Sequence, residues 1–300
     1  MFCPECGKEM SKGAEFCSNC GWSENGKKPK KKNSKFPTNL KKLIKPVLVV
    51  LAVVAIGLVI YNVPKLKGKV YNFSEIKKVK PVTKYWKKSF VDNFDTVKFG
   101  SYPQNDVTGD IKEPIEWIVL ERDGNKALLL SKYILDCKCY NEIRTDATWE
   151  TCTLRIWLNT VFALLAFDSS EQNKILTTNV VNANNSKYGT NGGNNTNDKV
   201  FCLSIDEVEK YFNQADMHCG NKRAVTRGTE YAKVVKNGDN NLYVNDYDDW
   251  AFGNSWWWLR SPGDSQKYAA YVGSLGCLSD IGLVVGYHAS GVRPALWVSY

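Results

Sequence analysis

The stretch VLVVLAVVAIGLVIYNV at residues 47–63 contains no charged residue and divides the chain into a short cysteine-rich part and a much longer part. With its bounding prolines it would form a helix about 26 to 29 Å long, close to the ~30 Å hydrocarbon thickness of a bilayer. It starts too late for a cleaved signal peptide, and it has no polar face before Asn62, unlike a core helix. We therefore expect one uncleaved transmembrane helix over residues 46–64.

The net charge of +9 is concentrated on both sides of this stretch. Residues 1–70 carry 14 lysines and arginines against 4 acids, whereas residues 89–300 carry 20 against 26. Juxtamembrane lysines commonly orient a span or contact anionic head groups. We expect a basic linker over 22–45, a basic stalk over 65–93 and the lipid bilayer as partner, and we expect no nucleic-acid partner.

Two Cys-x-x-Cys pairs lie near the start of the chain, Cys3 with Cys6 and Cys17 with Cys20, and a glycine follows each pair. Two tight turns that each present two thiolates suit one tetrahedral ion. So short a segment cannot bury enough core to fold without a metal. Because protein fills all four positions, the pattern predicts one structural Zn²⁺ in a zinc ribbon over 1–21. A redox dithiol or an iron–sulfur site is the weaker alternative.

The orientation of the span rests mainly on these cysteines, because lysines flank both of its ends in similar numbers. Zinc thiolates are safest in a reducing compartment. We therefore expect a single-pass protein of the cell membrane, with a cytosolic N-terminus and an extracytoplasmic C-terminal domain.

Residues 94–300 combine a strand hairpin, interposed helices and a terminal run of strands, which predicts an α+β domain. The hairpin is expected from Ile115–Leu120 and 127–134 around Asp123-Gly124-Asn125. A helix over 153–167 is expected to pack on a stripe of six apolar residues: Leu154, Trp157, Leu158, Val161, Phe162 and Leu165. Smaller elements are expected as follows: helices after Ser169-x-x-Gln172 and Ser204-x-x-Glu207, strands at 175–181 and 200–203, a surface loop at 182–198 and closing strands within 255–300.

Several segments together carry a family resemblance: VKFGSYPQ, PIEWIVLERDGNKALLLSKYILDCK, TWETCTLRIWLN, TTNV, WWLRSPG and GVRPALW. In this order they resemble the bacterial domain of unknown function DUF6273, which is often found behind a zinc ribbon and a span. The Trp-Trp-Leu-Arg-Ser and Gly-Val-Arg-Pro-Ala segments are also similar to the closing strands of C-type-lectin-like and formylglycine-generating-enzyme domains. The resemblance implies a C-type-lectin-like fold and no particular activity.

The closing block holds the candidate ligand-binding residues, namely Trp256, Trp257, Trp258, Arg260 and Arg293. Exposed tryptophan and arginine are favoured anchors of recognition surfaces. Side chains alternate along a strand, so Trp257 is expected to point away from its two neighbours and at least one face is expected to be core. A buried arginine needs a carboxylate or carbonyl partner. A purely structural role for these residues is the alternative.

Cys137 and Cys152 bracket the loop between the hairpin and the first helix, and outside the cytosol they can form a disulfide. Closing a loop of about 15 residues would add roughly 3 kcal/mol in the chain-entropy model. The alternatives are two buried free thiols, or a pairing that involves Cys139.

The sequence gives little reason to expect an enzyme, because it has only two histidines and no recognisable nucleophile, nucleotide or metalloprotease motif. We expect a membrane-anchored binding or adhesion module whose ligand is a cell-surface glycan, a cell-wall component or a protein. An extracytoplasmic enzyme of unrecognised type and a transmembrane regulator that signals to the zinc ribbon remain the alternatives.

Overall fold

The computed structural model describes residues 2–15, 17–20, 22–23, 67–82, 91–212, 224–235, 241–246 and 252–300. The chain divides into two compact units, Met1–Pro64 and Lys65–Tyr300. The expected span over 46–64 and nearly all of the expected linker over 22–45 lie outside the described residues. Within the part of the chain that is described, no helix is long and apolar enough to cross a membrane.

The first unit is a small fold built around its cysteines. A single bridge joins Phe2 to Glu9, and Cys3, Met10 and Cys17 form a buried cluster. Trp22 packs against this cluster, and its carbonyl accepts a hydrogen bond from the Cys17 N–H at 2.7 Å. The ribbon therefore extends at least to Trp22, which the sequence had assigned to the linker.

The second unit is a mixed α+β fold, as expected. Its strands are β1 (Val70–Asn72), β2 (Thr96–Pro103), β3 (Lys112–Asp123), β4 (Lys126–Ser131), β5 (Asp136–Cys137), β6 (Thr178–Val180), β7 (Thr196–Asp198), β8 (Trp257–Pro262), β9 (Tyr268–Val272), β10 (Leu278–Val284), β11 (Gly291–Val292) and β12 (Ala295–Ser299). Its helices are α1 (Thr153–Trp157), a π-helical stretch (Leu158–Phe162), α2 (Ala163–Ala166), α3 (Ser169–Gln172), α4 (Ile205–Phe212) and α5 (Glu230–Val234), with short 3₁₀ helices at Phe73–Lys78 and Val91–Asn93.

The first sheet has the strand order β1-β2-β3-β4-β12. Its centre is the expected hairpin, in which a tight turn at Gly124 joins β3 to β4 and Gly124 adopts a φ of 56°. A residue with positive φ suits this kind of hairpin turn. The last strand closes the sheet by pairing antiparallel with β4, with Ala295 opposite Leu130. The side chains of β4 from Ala127 to Ser131 are all buried, as a central strand requires.

The segment before β2 belongs to the domain, contrary to the expected stalk. β1 pairs parallel with β2, and Ile76, Val79 and Val82 are buried in the main hydrophobic core. The Arg122 guanidinium donates to the carbonyls of Ile76 and Val79 and so fixes the segment to β3. The domain therefore begins near residue 67 rather than 94. Ile76, Val79 and Val82 are spaced three residues apart, but the lysines between them made the segment read as a basic stalk, so the apolar spacing was not recognised.

The second sheet has the strand order β10-β9-β8-β11-β5. Here β8 runs antiparallel to β9 and parallel to β11, and β11 also pairs antiparallel with β5. The closing block of the sequence therefore supplies four of the five strands, and the short β5 comes from the region that follows the hairpin. Both Trp257 and Trp258 are fully buried, which shows that both faces of β8 are covered.

The expected helix over 153–167 is present, but its buried face differs from the predicted stripe. Val161 and Leu165 are 45% and 46% exposed, whereas Ala163 and Ala166 are buried. The π-helical stretch explains the difference, because it holds more residues per turn and rotates every later side chain about the axis. The regular 3.6-residue period thus fails after Leu158.

Three smaller expectations also need correction. α3 has Asp168 as its N-cap, in a capping box with Glu171, rather than Ser169 with Gln172. The strands expected at 175–181 and 200–203 reduce to β6 and to isolated bridges. The loop over 182–198 is not simply a surface excursion, since Asn185 is buried and its side-chain amide donates to three backbone carbonyls. The capping box of Ser204 and Glu207 is present at the start of α4.

Candidate metal centre and binding cleft

The four cysteines of the first unit meet at one point. One sulfur from each lies within 4.8 Å of the other three, with Cys3 and Cys20 3.6 Å apart and Cys6 and Cys17 3.7 Å apart. Four sulfurs at the usual zinc–sulfur distance would be about 3.8 Å from one another in a tetrahedron. The arrangement therefore has the dimensions of a four-thiolate metal site.

The local backbone explains how each pair is held. Gly7 follows the first pair in a left-handed conformation with φ 72°, and its N–H donates to the Cys3 carbonyl at 2.9 Å. The backbone N–H of Lys8 is the main cause that lowers the pKa of the Cys6 thiol to about 6. Metals bind the thiolate form, which this turn favours at Cys6, whereas at Cys20 the Trp22 backbone lowers the pKa but the neighbouring Cys6 and burial raise it, to about 12.

The predicted ligand residues Trp257 and Trp258 lie in the core. Both are completely buried, and their indole N–H groups donate to the backbone carbonyls of Ala224 and Lys138 at 3.2 and 2.8 Å. The ring of Trp258 also contacts that of Tyr140 edge-on, at a centroid distance of 5.8 Å. A ligand cannot reach either indole, so these two residues have a structural role.

Arg260 is also structural, and its partner is not one of the acids nearest in sequence. It is 5% exposed and forms an ion pair with Glu207. The guanidinium donates further to the carbonyls of Cys202 and Val181. Arg260 thus joins β8 to the start of α4, because Glu207 is the same residue that closes the capping box there.

Arg293 is completely buried, and its described hydrogen-bond partners are backbone carbonyls. It donates to Ser131 at 3.0 Å and to Ala224 at 3.2 Å, and its guanidinium carbon lies 4.9 Å from the centroid of the Trp257 ring. Burial lowers the pKa of Arg293 to about 9. Arg293 lies between β11 and β12 and joins this part of the chain to the end of β4 at Ser131 and to Ala224. It is inaccessible to a ligand.

Trp256 is the one predicted ligand residue that reaches the surface. It is partly exposed and stacks on Tyr243, with ring centroids 4.2 Å apart and planes inclined by 23°. Tyr271 and Tyr287 complete an aromatic cluster at 5.6 and 5.8 Å. The three tyrosines were missed because a strand pattern does not show which distant rings meet one tryptophan.

A cleft of about 260 Å³ opens beside this cluster. We call it the aromatic cleft, and its described lining residues are Tyr243, Asn245, Trp256, Tyr271, Gly273, Ser274, Leu275, Cys277 and Ser279. The Asn245 side-chain amide donates to the Ser274 hydroxyl at 3.1 Å, which directs the hydroxyl hydrogen away from Asn245. The cleft combines flat aromatic faces with neutral polar groups, the usual composition of a small binding site.

Cys137 and Cys152 do not form the possible disulfide: both thiols are free and buried, which is the alternative that the sequence left open. The Cys137 thiol donates to the His288 carbonyl at 3.1 Å, and the Cys152 thiol donates to the Trp149 carbonyl at 3.5 Å. The two sulfurs therefore have different hydrogen-bond partners and are not bonded to each other. Cys139, the competing partner, is not part of a disulfide either. Cys277, at the aromatic cleft, is disulfide-bonded.

Comparison with known protein families identifies both units. A zinc-ribbon domain model matches residues 2–21, in agreement with the four clustered cysteines. The model of the domain of unknown function DUF6273 matches residues 124–300 and so covers both the aromatic cleft and the buried arginines. No curated protein and no solved structure matches the chain. Since the second model spans more than half of the chain, the protein belongs to the DUF6273 family.

Proposed function

We propose that this chain is a membrane-anchored binding module that holds a glycan in the aromatic cleft. The observation that carries the proposal is the partly exposed ring of Trp256, stacked on Tyr243 at the edge of that cleft. The N-terminal ribbon is cytosolic in this proposal, one helix over 46–64 spans the membrane, and the domain from residue 67 onward is extracytoplasmic.

A sugar ring suits the cleft for two reasons. Its C–H groups carry a small positive charge and can pack on the electron-rich face of an aromatic ring. Its hydroxyls can exchange hydrogen bonds with the Ser274 and Ser279 hydroxyls in the wall. The volume of about 260 Å³ is slightly below that of a typical drug-sized site, so it suits one ring or the end of a chain.

The described residues that line the cleft include two tyrosines and two serines, whose hydroxyls can hold a ligand, and include no carboxylate, histidine or free thiol. A C-type-lectin-like arrangement of the closing strands, which the sequence suggested, is consistent with a binding role and stays a prediction.

The disulfide at Cys277 supports the proposed topology, while Cys137 and Cys152 of the same domain stay as buried thiols. Cys277 is disulfide-bonded, which is typical of domains in an oxidising compartment. The four ribbon thiols, in contrast, must be reduced to bind a metal. We propose that this metal is one structural Zn²⁺ bound by Cys3, Cys6, Cys17 and Cys20. Metal analysis of a reduced peptide over residues 1–23 should give about one equivalent of zinc, and less than half an equivalent would contradict the assignment.

The glycan is tested with the fragment 65–300, which matches the compact second unit and has its own core. The wild-type fragment should be retained on immobilised cell-wall glycan fragments or oligosaccharides. Trp256→Ala should weaken retention at least tenfold. Tyr188→Ala is the matched control, because Tyr188 is a 39% exposed aromatic residue that does not line the cleft.

Two results of this retention experiment would contradict the glycan proposal. Equal retention of wild type and Trp256→Ala, or no retention of the wild type on any glycan, would refute the proposal. Circular dichroism melts of both variants should confirm that they are folded. Protease protection on intact cells tests the topology separately, since external protease should cut the domain and leave the ribbon intact.

A further inference from the structure

Three parts of the second unit lie at the same end of the first sheet: the entry of the chain at Lys67, the turn between β3 and β4, and the terminal residue Tyr300. The chain enters at Lys67, and β1 starts with Val70 opposite Thr96, the first residue of β2. Thr96 lies opposite Ile118, and β3 continues past that point to the hairpin turn at Gly124. The terminal residue Tyr300 donates its N–H to the Asn125 carbonyl in the same turn. We call this the entry end of the sheet.

The segment after β1 returns to the entry end. Arg122, just before the turn, donates to the carbonyls of Ile76 and Val79. The Lys77 ammonium lies 5.8 Å from the centroid of the Tyr300 ring. The 3₁₀ helix Phe73–Lys78 therefore carries its lysines back to the place where the chain enters the domain.

Exposed lysines collect at this end as a result. They are Lys67, Lys69, Lys77, Lys78, Lys80 and Lys126. Of the acids close by, Glu75 is held by Lys78 at 2.7 Å and Glu121 is held by Lys210 at 2.7 Å. Asp95 accepts a backbone N–H from Lys69, and Asp123 is exposed in the turn itself, so the six lysines outnumber these four acids. The entry end is thus a positively charged surface on a domain whose sequence from residue 89 onward is acidic overall.

We propose that the entry end is a docking surface for anionic lipid head groups and holds that end of the domain against the bilayer. This inference rests on the membrane anchor of the proposed function. Lys67 is the third residue after Pro64, the end of the expected span, so the chain can place Lys67 no more than about 10 Å from the span. That distance is about one Debye length at physiological salt, within which lysines are attracted to an anionic surface. The positive charge and the short connection to the expected span together argue for lipid head groups as the occupant.

The test uses the fragment 65–300, because it lacks the expected span and reports on the lysine surface alone. In a co-sedimentation assay at about 0.1 M salt, it should bind vesicles with about one third phosphatidylglycerol. Binding to pure phosphatidylcholine vesicles should be at least tenfold weaker. Raising the salt to about 0.5 M should release the fragment.

A pair of matched variants tests the location of the surface. K77Q/K78Q/K80Q should weaken binding to the anionic vesicles about tenfold or more. K112Q/K187Q/K267Q removes the same charge from exposed lysines elsewhere in the domain and should weaken it less than threefold. All six side chains are exposed, and the contacts they lose, Lys78 with Glu75, Lys187 with Asp280 and Lys112 with the Leu165 carbonyl, are surface contacts of small energy, so both variants should fold.

Two outcomes would overturn the inference: no preference of the wild type for anionic vesicles, or equal losses in the two triple variants. Neither outcome affects the proposed glycan site, because retention of K77Q/K78Q/K80Q on glycan is measured separately. Conversely, a fragment that binds anionic vesicles but no glycan would support the lipid surface and refute the aromatic cleft as a glycan site.

Discussion

Replacing Glu207 by glutamine should destabilise the domain through Arg260. The substitution preserves the size of the side chain and an oxygen that can accept from the Ser204 N–H, so the cap of α4 can survive. It removes the negative charge opposite a guanidinium that is only 5% exposed. The carbonyls of Cys202 and Val181 remain as partners and reduce the loss.

The expected magnitude follows from the burial of the pair. Breaking a buried ion pair by removing one partner costs about 3–5 kcal/mol. The Glu207 side chain is 25% exposed, so water can compensate part of the loss, and we expect about 2–3 kcal/mol. Glu171→Gln is the matched control, because Glu171 closes the other capping box and accepts from the Gly100 N–H without an arginine partner. It should cost about 1 kcal/mol.

Urea unfolding of the fragment 65–300, followed by intrinsic tryptophan fluorescence, measures both variants. The midpoint should fall further for Glu207→Gln than for Glu171→Gln, with the slope of the transition unchanged. Glu171→Gln also replaces one of the two oxygens that accept the Gly100 and Asp168 N–H groups, so a larger fall for Glu207→Gln has to come from the buried guanidinium, and equal midpoints would refute the reasoning.

Three further predictions concern single sites. Cys137 and Cys152 should resist iodoacetamide in the native fragment and react after unfolding, because burial raises the pKa of each thiol to about 12; mass spectrometry that finds rapid native labelling would contradict this. Gly100→Ala should lower the free energy of unfolding by about 2–4 kcal/mol, because Gly100 has φ 67° and a Cβ would lie 2.5 Å from the Phe167 ring; an unchanged melting temperature would count against it. Burial raises the pKa of Asp136 in the folded state, so the wild type loses stability as the pH rises from the unfolded pKa of about 4 through the folded pKa. Asp136→Asn does not titrate and should become more stable relative to the wild type over that pH range. A stability difference between the two proteins that is constant with pH would refute this prediction.

Local signals in the sequence predicted the elements with strong periodicity. The hairpin of β3 and β4 was visible because two apolar runs flank a glycine turn, and the closing strands were visible from their aromatic density. The four ribbon cysteines were identified from spacing alone, because a tight turn is sufficient to bring each pair together. These features depend on residues that are close in the sequence.

Features that depend on distant contacts were not predictable. The structural roles of Trp257 and Arg293 could be predicted only with the knowledge that both faces of β8 are covered. Neither the alternation of side chains along a strand nor the amino-acid composition contains that information. Tyr243 meets Trp256 across a tertiary contact that leaves no periodic signal. The exposed positions of Val161 and Leu165 arose from the π-helical stretch, which changes the period inside one helix.

The order of the first sheet also has a practical consequence for anyone who expresses a piece of this protein. The family match begins at residue 124, in the turn between β3 and β4. A fragment cut there would retain only β4 and β12 of the five strands and would leave the buried apolar edge of β4 unpaired. Such edges recruit other chains, so the truncated product should aggregate in inclusion bodies. A fragment that starts at residue 65 retains all five strands and should remain in solution.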